Sequence, residues 1–187
     1  MKKFLTVVVM LMTCFTLSVN AQSYDYPKFH MGIRGGFSIN TNSVSGTDAL
    51  FFPQGGLDMD FRIAPIPLYL ETGVNYMNKG YKYTDPNYDE KETEDDHYIY
   101  MPLLVSYHFY LNDKMAIQPF LGGTFGYLTE SGEYESALRV GCGFNFGRLY
   151  ANIGYDIGLT SHHFDDYDSW RNNGFFMTLG FNFAGSR

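Results

Sequence analysis

The chain has 187 residues, a net charge of −7, 20 Gly, 16 Tyr and 17 Phe. So many aromatics exclude a disordered chain, the acidic balance argues against a nucleic-acid binder, and two cysteines cannot staple a disulfide-rich scaffold. Charged residues make up 18%, below the ~25% of an ordinary soluble domain, so the composition points to a β protein with an unusual surface.

Lys2 and Lys3 precede an uncharged, mostly apolar stretch from Phe4 to Leu17, and Val19-Asn20-Ala21 carries the small residues a signal peptidase reads. Residues 1–21 are therefore expected to be a cleaved signal peptide and 22–28 a periplasmic N-terminal segment. The apolar stretch is shorter than the ~20 residues of a spanning helix, which argues against a membrane anchor. A lipid-attachment site at Leu11-Met12-Thr13-Cys14 is the other alternative, but Thr13 suits it poorly. Cleavage takes the net charge from −7 to −9 and leaves Cys142 as the one remaining cysteine. It reads as a small apolar strand residue rather than a reactive thiol.

Beyond the leader, apolar and polar residues alternate, and alternation means strands. Eight are predicted. The first, about 29–40, sets Phe29, Met31, Ile33, Phe37 and Ile39 against His30, Gly32, Arg34, Gly36 and Ser38. The second, about 54–64, sets Leu57, Met59, Phe61 and Ile63 against Asp58, Asp60 and Arg62. The third, about 68–79, sets Leu68, Leu70, Val74 and Tyr76 against Glu71, Gly73 and Asn75. The fourth, about 97–111, sets Ile99, Met101, Leu103, Val105, Tyr107 and Phe109 against Ser106 and His108.

The fifth, about 115–128, alternates Ile117, Leu121, Phe125 and Tyr127 with Gln118, Gly122 and Thr124. The sixth, about 137–146, alternates Leu138, Val140, Cys142, Phe144 and Phe146 with Arg139, Gly141, Gly143 and Asn145. The seventh, about 149–160, alternates Leu149, Ile153, Tyr155, Ile157 and Leu159 with Asn152, Gly154, Asp156 and Gly158. The eighth, about 174–183, alternates Phe175, Met177, Leu179, Phe181 and Phe183 with Thr178, Gly180 and Asn182.

Connections around Pro65-Ile66-Pro67, Asn112-Asp113-Lys114 and Gly147-Arg148 are tight, and those at about 41–53, 80–96, 129–136 and 161–173 are long and polar. Short turns on one side and long loops on the other are the plan of an outer-membrane barrel. A soluble β-sandwich or lipocalin-type barrel would put the polar face outside, but that face is rich in Gly, Asn and Thr and poor in Lys and Glu. The expected fold is an all-β, eight-stranded antiparallel up-and-down transmembrane β-barrel over residues 29–183, with a C-terminal tail at 184–187. Closure leaves no unpaired edge in lipid, and side chains can fill an eight-stranded lumen.

With the apolar face outward, Arg34, Asp58, Asp60, Arg62, Glu71, Arg139 and Asp156 fall inside as an expected charge network, because isolated buried charges are costly. His108, Gln118, Asn75, Asn145 and Asn152 can extend it, and inward glycines make room for Tyr98 and Tyr100. A structural plug is favoured over a charged pore. Asp85, Asp89, Glu90, Glu92, Glu94, Asp95 and Asp96 make one loop acidic without the spacing of a calcium loop. They read as a solvated surface with a possible divalent bridge to lipopolysaccharide. Ser161, His162, His163, Asp165, Asp166 and Asp168 invite hydrolase and metal readings, but neighbouring loop residues seldom form a triad and nothing marks an oxyanion hole. No catalytic residue, metal site or cofactor is assigned. The expected surroundings are outer-membrane lipid and lipopolysaccharide, with an envelope protein as a possible partner and no nucleic acid.

Leu70-Glu71-Thr72-Gly73-Val74-Asn75-Tyr76 with Lys79-Gly80, Tyr98-Ile99-Tyr100-Met101-Pro102-Leu103-Leu104-Val105, Pro119-Phe120-Leu121-Gly122-Gly123 and Gly180-Phe181-Asn182-Phe183 resemble the strands of the outer-membrane β-barrel family common in Bacteroidota. That family includes PorT-like proteins, and the resemblance covers essentially the whole mature chain. It implies the barrel and the outer membrane; PorT-like members are linked to type IX secretion and gliding. The chain departs from the family pattern at Tyr100, where Glu is frequent, and at Ser106, where Lys is frequent, which implies a lost charge pair. It also continues past Phe183, where a terminal aromatic is usual.

Overall fold

The computed structural model describes residues 26–42, 50–79, 81–84, 91–94, 97–161 and 171–186. Eight long strands follow one another: β1 (Phe29–Asn42), β2 (Leu50–Arg62), β3 (Leu68–Asn78), β4 (His97–Tyr107), β5 (Met115–Leu128), β6 (Tyr134–Phe146), β7 (Leu149–Gly158) and β8 (Asn172–Ser186). Each pairs antiparallel with its sequence neighbour, and β1 pairs with β8 from Phe29↔Ser186 to Asn42↔Asn172. The barrel is closed. A short two-residue strand, Phe109–Tyr110, continues β4 against β5, and Tyr81–Thr84 pairs with Lys91–Glu94 in a hairpin beyond β3.

The alternation predicted from the sequence sets the two faces. Ile33, Leu57, Val74, Ile99, Leu121, Val140, Ile153 and Leu179 are exposed on the outer surface. Ser38, Gln54, Asn75, Thr124, Arg139, Asp156 and Thr178 are buried inside. Apolar residues outside and polar ones within is stable only when lipid is the outer solvent.

Strand limits move where local chemistry requires. β2 stops at Arg62, because Pro65 and Pro67 have no N–H to continue the ladder. β4 breaks at His108, whose N–H bonds Pro67 O in the adjoining turn at 2.9 Å. β8 runs past the expected end at Phe183 to Ser186, because β1 starts at Phe29 and keeps it paired. The register shift at Met31/Gly32 leaves Phe183 without a paired residue, a bulge that bends the closing strand. The Gly147-Arg148 turn uses a positive φ at Gly147, 63°, which glycine adopts without steric cost. At the neighbouring turn, Asn112 Oδ1 accepts from the N–H groups of Lys114 and Met115, both at 2.9 Å, an Asx turn.

The tight turns, Phe29 and Ser186 lie at one end of the barrel. The long connections lie at the other. In an outer-membrane barrel these are the periplasmic and outer ends respectively.

Candidate functional site

The candidate site is the lumen, and it differs along its length. Across the middle, Arg139 on β6 and Asp156 on β7 are register partners, so their side chains meet on the inner face. Arg139 Nε and Nη2 donate to Asp156 Oδ1 and Oδ2 at 2.7 and 2.6 Å, the two-pronged geometry that makes Arg–carboxylate pairs strong. The guanidinium also lies 4.3 Å from the centre of the Phe176 ring and donates through Nη1 to Tyr100 Oη at 3.3 Å.

Tyr100 is the hinge of this layer. Its hydroxyl accepts from Arg139 and from Arg34 Nη2 (3.4 Å), and donates to Gln54 Oε1 (3.2 Å). One donor and two acceptor positions are thereby used. Arg34 Nε reaches Asn75 Oδ1 at 2.9 Å and stands 3.2 Å from Asp58 Oδ2. Tyr150 Oη donates to the same carboxylate oxygen at 2.9 Å. Tyr100 therefore joins two guanidiniums, each of which has its own aspartate. Ser106 Oγ lies 3.2 Å from His108 Nε2.

Leu104, Phe120 and Phe176 form a buried apolar cluster inside the barrel. Gly141 and Gly154 make the space: a Cβ at Gly154 would run into the Phe176 ring, and one at Gly141 into Phe120. Alternation by itself did not reveal these inward hydrophobes. An inward aromatic facing glycine on the next strand is the signal that could have found them.

Nearer the outer end, Lys79 Nζ and Glu135 Oε1 are 2.6 Å apart and almost fully buried. Asn172 Nδ2 donates to the other oxygen of Glu135 at 3.2 Å, Tyr98 Oη donates to its backbone carbonyl at 3.1 Å, and the ammonium lies 4.0 Å from the centre of the Tyr98 ring. This second closure was absent from the expected network, because both residues sit where strand meets loop and strict alternation ends.

Of the seven expected lumen charges, four join into pairs: Arg34 with Asp58, and Arg139 with Asp156. The other three do not. Arg62 ends β2 at the periplasmic rim and donates to Tyr26 O at 2.8 Å. Asp60 Oδ2 lies 3.7 Å from His30 Nδ1. Glu71 faces a small chamber together with Arg34, Asp58 and Asp60. His108 is fully buried; Gln118 Nε2 lies 3.0 Å from its Nδ1, and its ring stacks on Tyr69 at 3.9 Å.

Beyond the chamber the lumen opens into a vestibule of about 990 Å³ at the periplasmic end. Asn145 and Asn182 line both spaces. His162, His163, Asp165, Asp166 and Asp168 lie outside the described residues, as do Asp85, Asp89, Glu90, Asp95 and Asp96. Glu92 and Glu94 belong to the short hairpin, and Ser161 Oγ accepts from Arg171 Nε at 3.2 Å. Cys142 is exposed on the outer face.

The sequence matches the model of the outer membrane protein beta-barrel domain family over residues 20–185. The chain belongs to that family. It is an outer-membrane β-barrel protein. A search of curated proteins finds no match. Solved structures of similar fold include Ail, the attachment invasion locus protein of Yersinia pestis, in complex with the heparin analogue sucrose octasulfate. That structure has 14% identity and a TM-score of 0.46, over 84% of this chain and 99% of that one. Neisserial surface protein A gives 13%, a TM-score of 0.44, and coverage of 83% and 97%. A de novo designed transmembrane β-barrel gives 11%, a TM-score of 0.42, and coverage of 83% and 98%. These likenesses concern the fold alone.

Proposed function

We propose that this protein is a non-catalytic, non-conducting outer-membrane barrel that displays its outer loops for envelope integrity, adhesion or contact with a partner, surrounded by outer-membrane lipid and lipopolysaccharide. The observation that carries this reading is the crossbar of the lumen. Arg139 is tied to Asp156 and Tyr100 and lies over Phe176. Its charges are matched within the protein, as a structural plug requires, whereas a conducting path needs hydrated groups free to exchange ligands. Purified protein in a planar bilayer is expected to show no steady unitary current. A large, uniform open channel would overturn the reading. Lipid A from cells overproducing the protein should be unchanged; a modified lipid A would replace a display barrel with a lipid-modifying enzyme.

The resemblance to PorT-like members supplies the competing reading, a component of a secretion or gliding machinery. Isolation from native outer membrane in mild detergent, with mass spectrometry of everything retained, separates the two. Recovery of the barrel with lipid alone supports the display reading. A stoichiometric envelope partner would favour the machinery.

A further inference from the structure

The inner chamber holds an imbalance of charge that the plug does not use. Asp58 is matched by Arg34 and Tyr150. Among the described residues Asp60 has only His30 as an ionic partner, at 3.7 Å, and Glu71 is hydrogen-bonded to Ser106 with no cationic side chain within ion-pair reach. Both carboxylates line a chamber of about 20 Å³, enough for one water-sized group. A second observation is independent of these acids. Asn152 is only 9% exposed and lines the same chamber, yet its amide makes no side-chain hydrogen bond with the described residues. Buried polar groups are normally bonded, so a free amide beside two carboxylates, neither of them paired with an arginine or lysine, marks a place for a donor.

The size and charge of the chamber specify that donor. Among the described residues no three acidic or histidine side chains are arranged to hold a metal ion. A water-sized cation with several N–H donors is a primary ammonium. The approach is through the vestibule, which shares Asn145 and Asn182 with the chamber and has the volume of an ordinary ligand pocket. At its mouth stand Lys114 and Arg148, neither with an acidic partner among the described residues, and Asp113 in the same turn as Lys114. A second cation on the ligand would meet those two cations; a carboxylate would be attracted.

We propose that the periplasmic half of the lumen is a binding site for a slender zwitterion, such as a short peptide. It enters amine first, with its ammonium between Asp60, Glu71 and Asn152 and its carboxylate toward Lys114 and Arg148. The site goes beyond the display reading, since it faces the opposite side of the membrane and needs no open channel.

The test is calorimetric titration of the full barrel in lipid nanodiscs with triglycine, N-acetyl-triglycine and putrescine. Triglycine is expected to bind saturably, and N-acetylation to weaken it at least about tenfold, because it removes the charge that meets the acids. Putrescine should bind more weakly than triglycine. Glu71→Gln, with folding checked by heat-modifiable gel mobility, should reproduce the loss caused by acetylation. Equal binding of the free and acetylated peptides, or no triglycine binding by about 10 mM, overturns the site. Putrescine binding as tightly as triglycine overturns the zwitterion. If Glu71→Gln fails to fold, the comparison of the three ligands on the unaltered protein decides alone.

Discussion

The two halves of the lumen are built from similar residue types and behave differently. In the outer half the described lumen charges have fixed counterparts: Arg139 with Asp156, and Lys79 with Glu135 under Asn172 and Tyr98. Apolar rings fill the space between strands there. In the periplasmic half, Asp60, Glu71, Asn145, Asn152 and Asn182 face space. The difference teaches that an inward charge is not in itself a lumen plug. It becomes one when an opposite charge stands beside it, through strand register as for Arg139↔Asp156 or across the mouth as for Lys79 and Glu135. Asp60 faces Glu71 in the β2–β3 register, and two neighbouring acids supply no opposite charge to each other.

The comparison can be broken most strongly at Arg139. Arg139→Ala leaves Asp156 buried without its cation, and removing one member of a buried pair costs about 3–5 kcal/mol. Urea unfolding in lipid vesicles should show a loss of that size, and a change below about 1 kcal/mol would mean water already solvates the crossbar. Lys79→Ala should cost less, about 2–3 kcal/mol, because its pair is held by one charged contact where Arg139 and Asp156 share two; the same unfolding curve measures it.

Tyr100→Phe keeps the ring and removes the oxygen shared by Arg34 and Arg139. The expected loss is about 1–3 kcal/mol. Tyr100→Glu should retain the two guanidinium contacts and lose less. If the two variants are equal, the hydroxyl is a spectator. Gly154→Ala presses a methyl group onto Phe176 and should cost about 1–3 kcal/mol as overpacking, with Phe176→Leu in the same chain recovering part of it. The smallest effect belongs to the periplasmic half. Asn145→Ala should change stability by no more than about 0.5 kcal/mol, since its side chain faces the vestibule rather than a partner.

Much of the barrel was legible in the alternation. Ile33, Leu57, Ile153 and Leu179 face outward as expected, and Arg34, Asp58, Arg139 and Asp156 face inward. A period of two is enough to say which side of a strand a residue takes. Less of the site was legible. Lys79 and Glu135 are 56 positions apart and meet across the mouth, and Tyr100 joins arginines on β1 and β6 from β4. Such contacts run across the tube, and alternation along single strands carries no information about them. Arg62 shows the converse: the right face at the strand's end put it on the rim rather than in the network.

The sequence by itself determined that the chain is a barrel with an apolar exterior, which end carries the long loops, and which charges point inward. Those properties are local, set by side-chain alternation, proline and glycine punctuation, and loop length. The tertiary structure decided which inward charges meet, where the tube is closed and where it opens. Those depend on the register between strands and on the packing of Phe176 and Phe120 against glycines of other strands. Closure of β8 on β1 sets that geometry for all eight strands together, so no single stretch of sequence contains it.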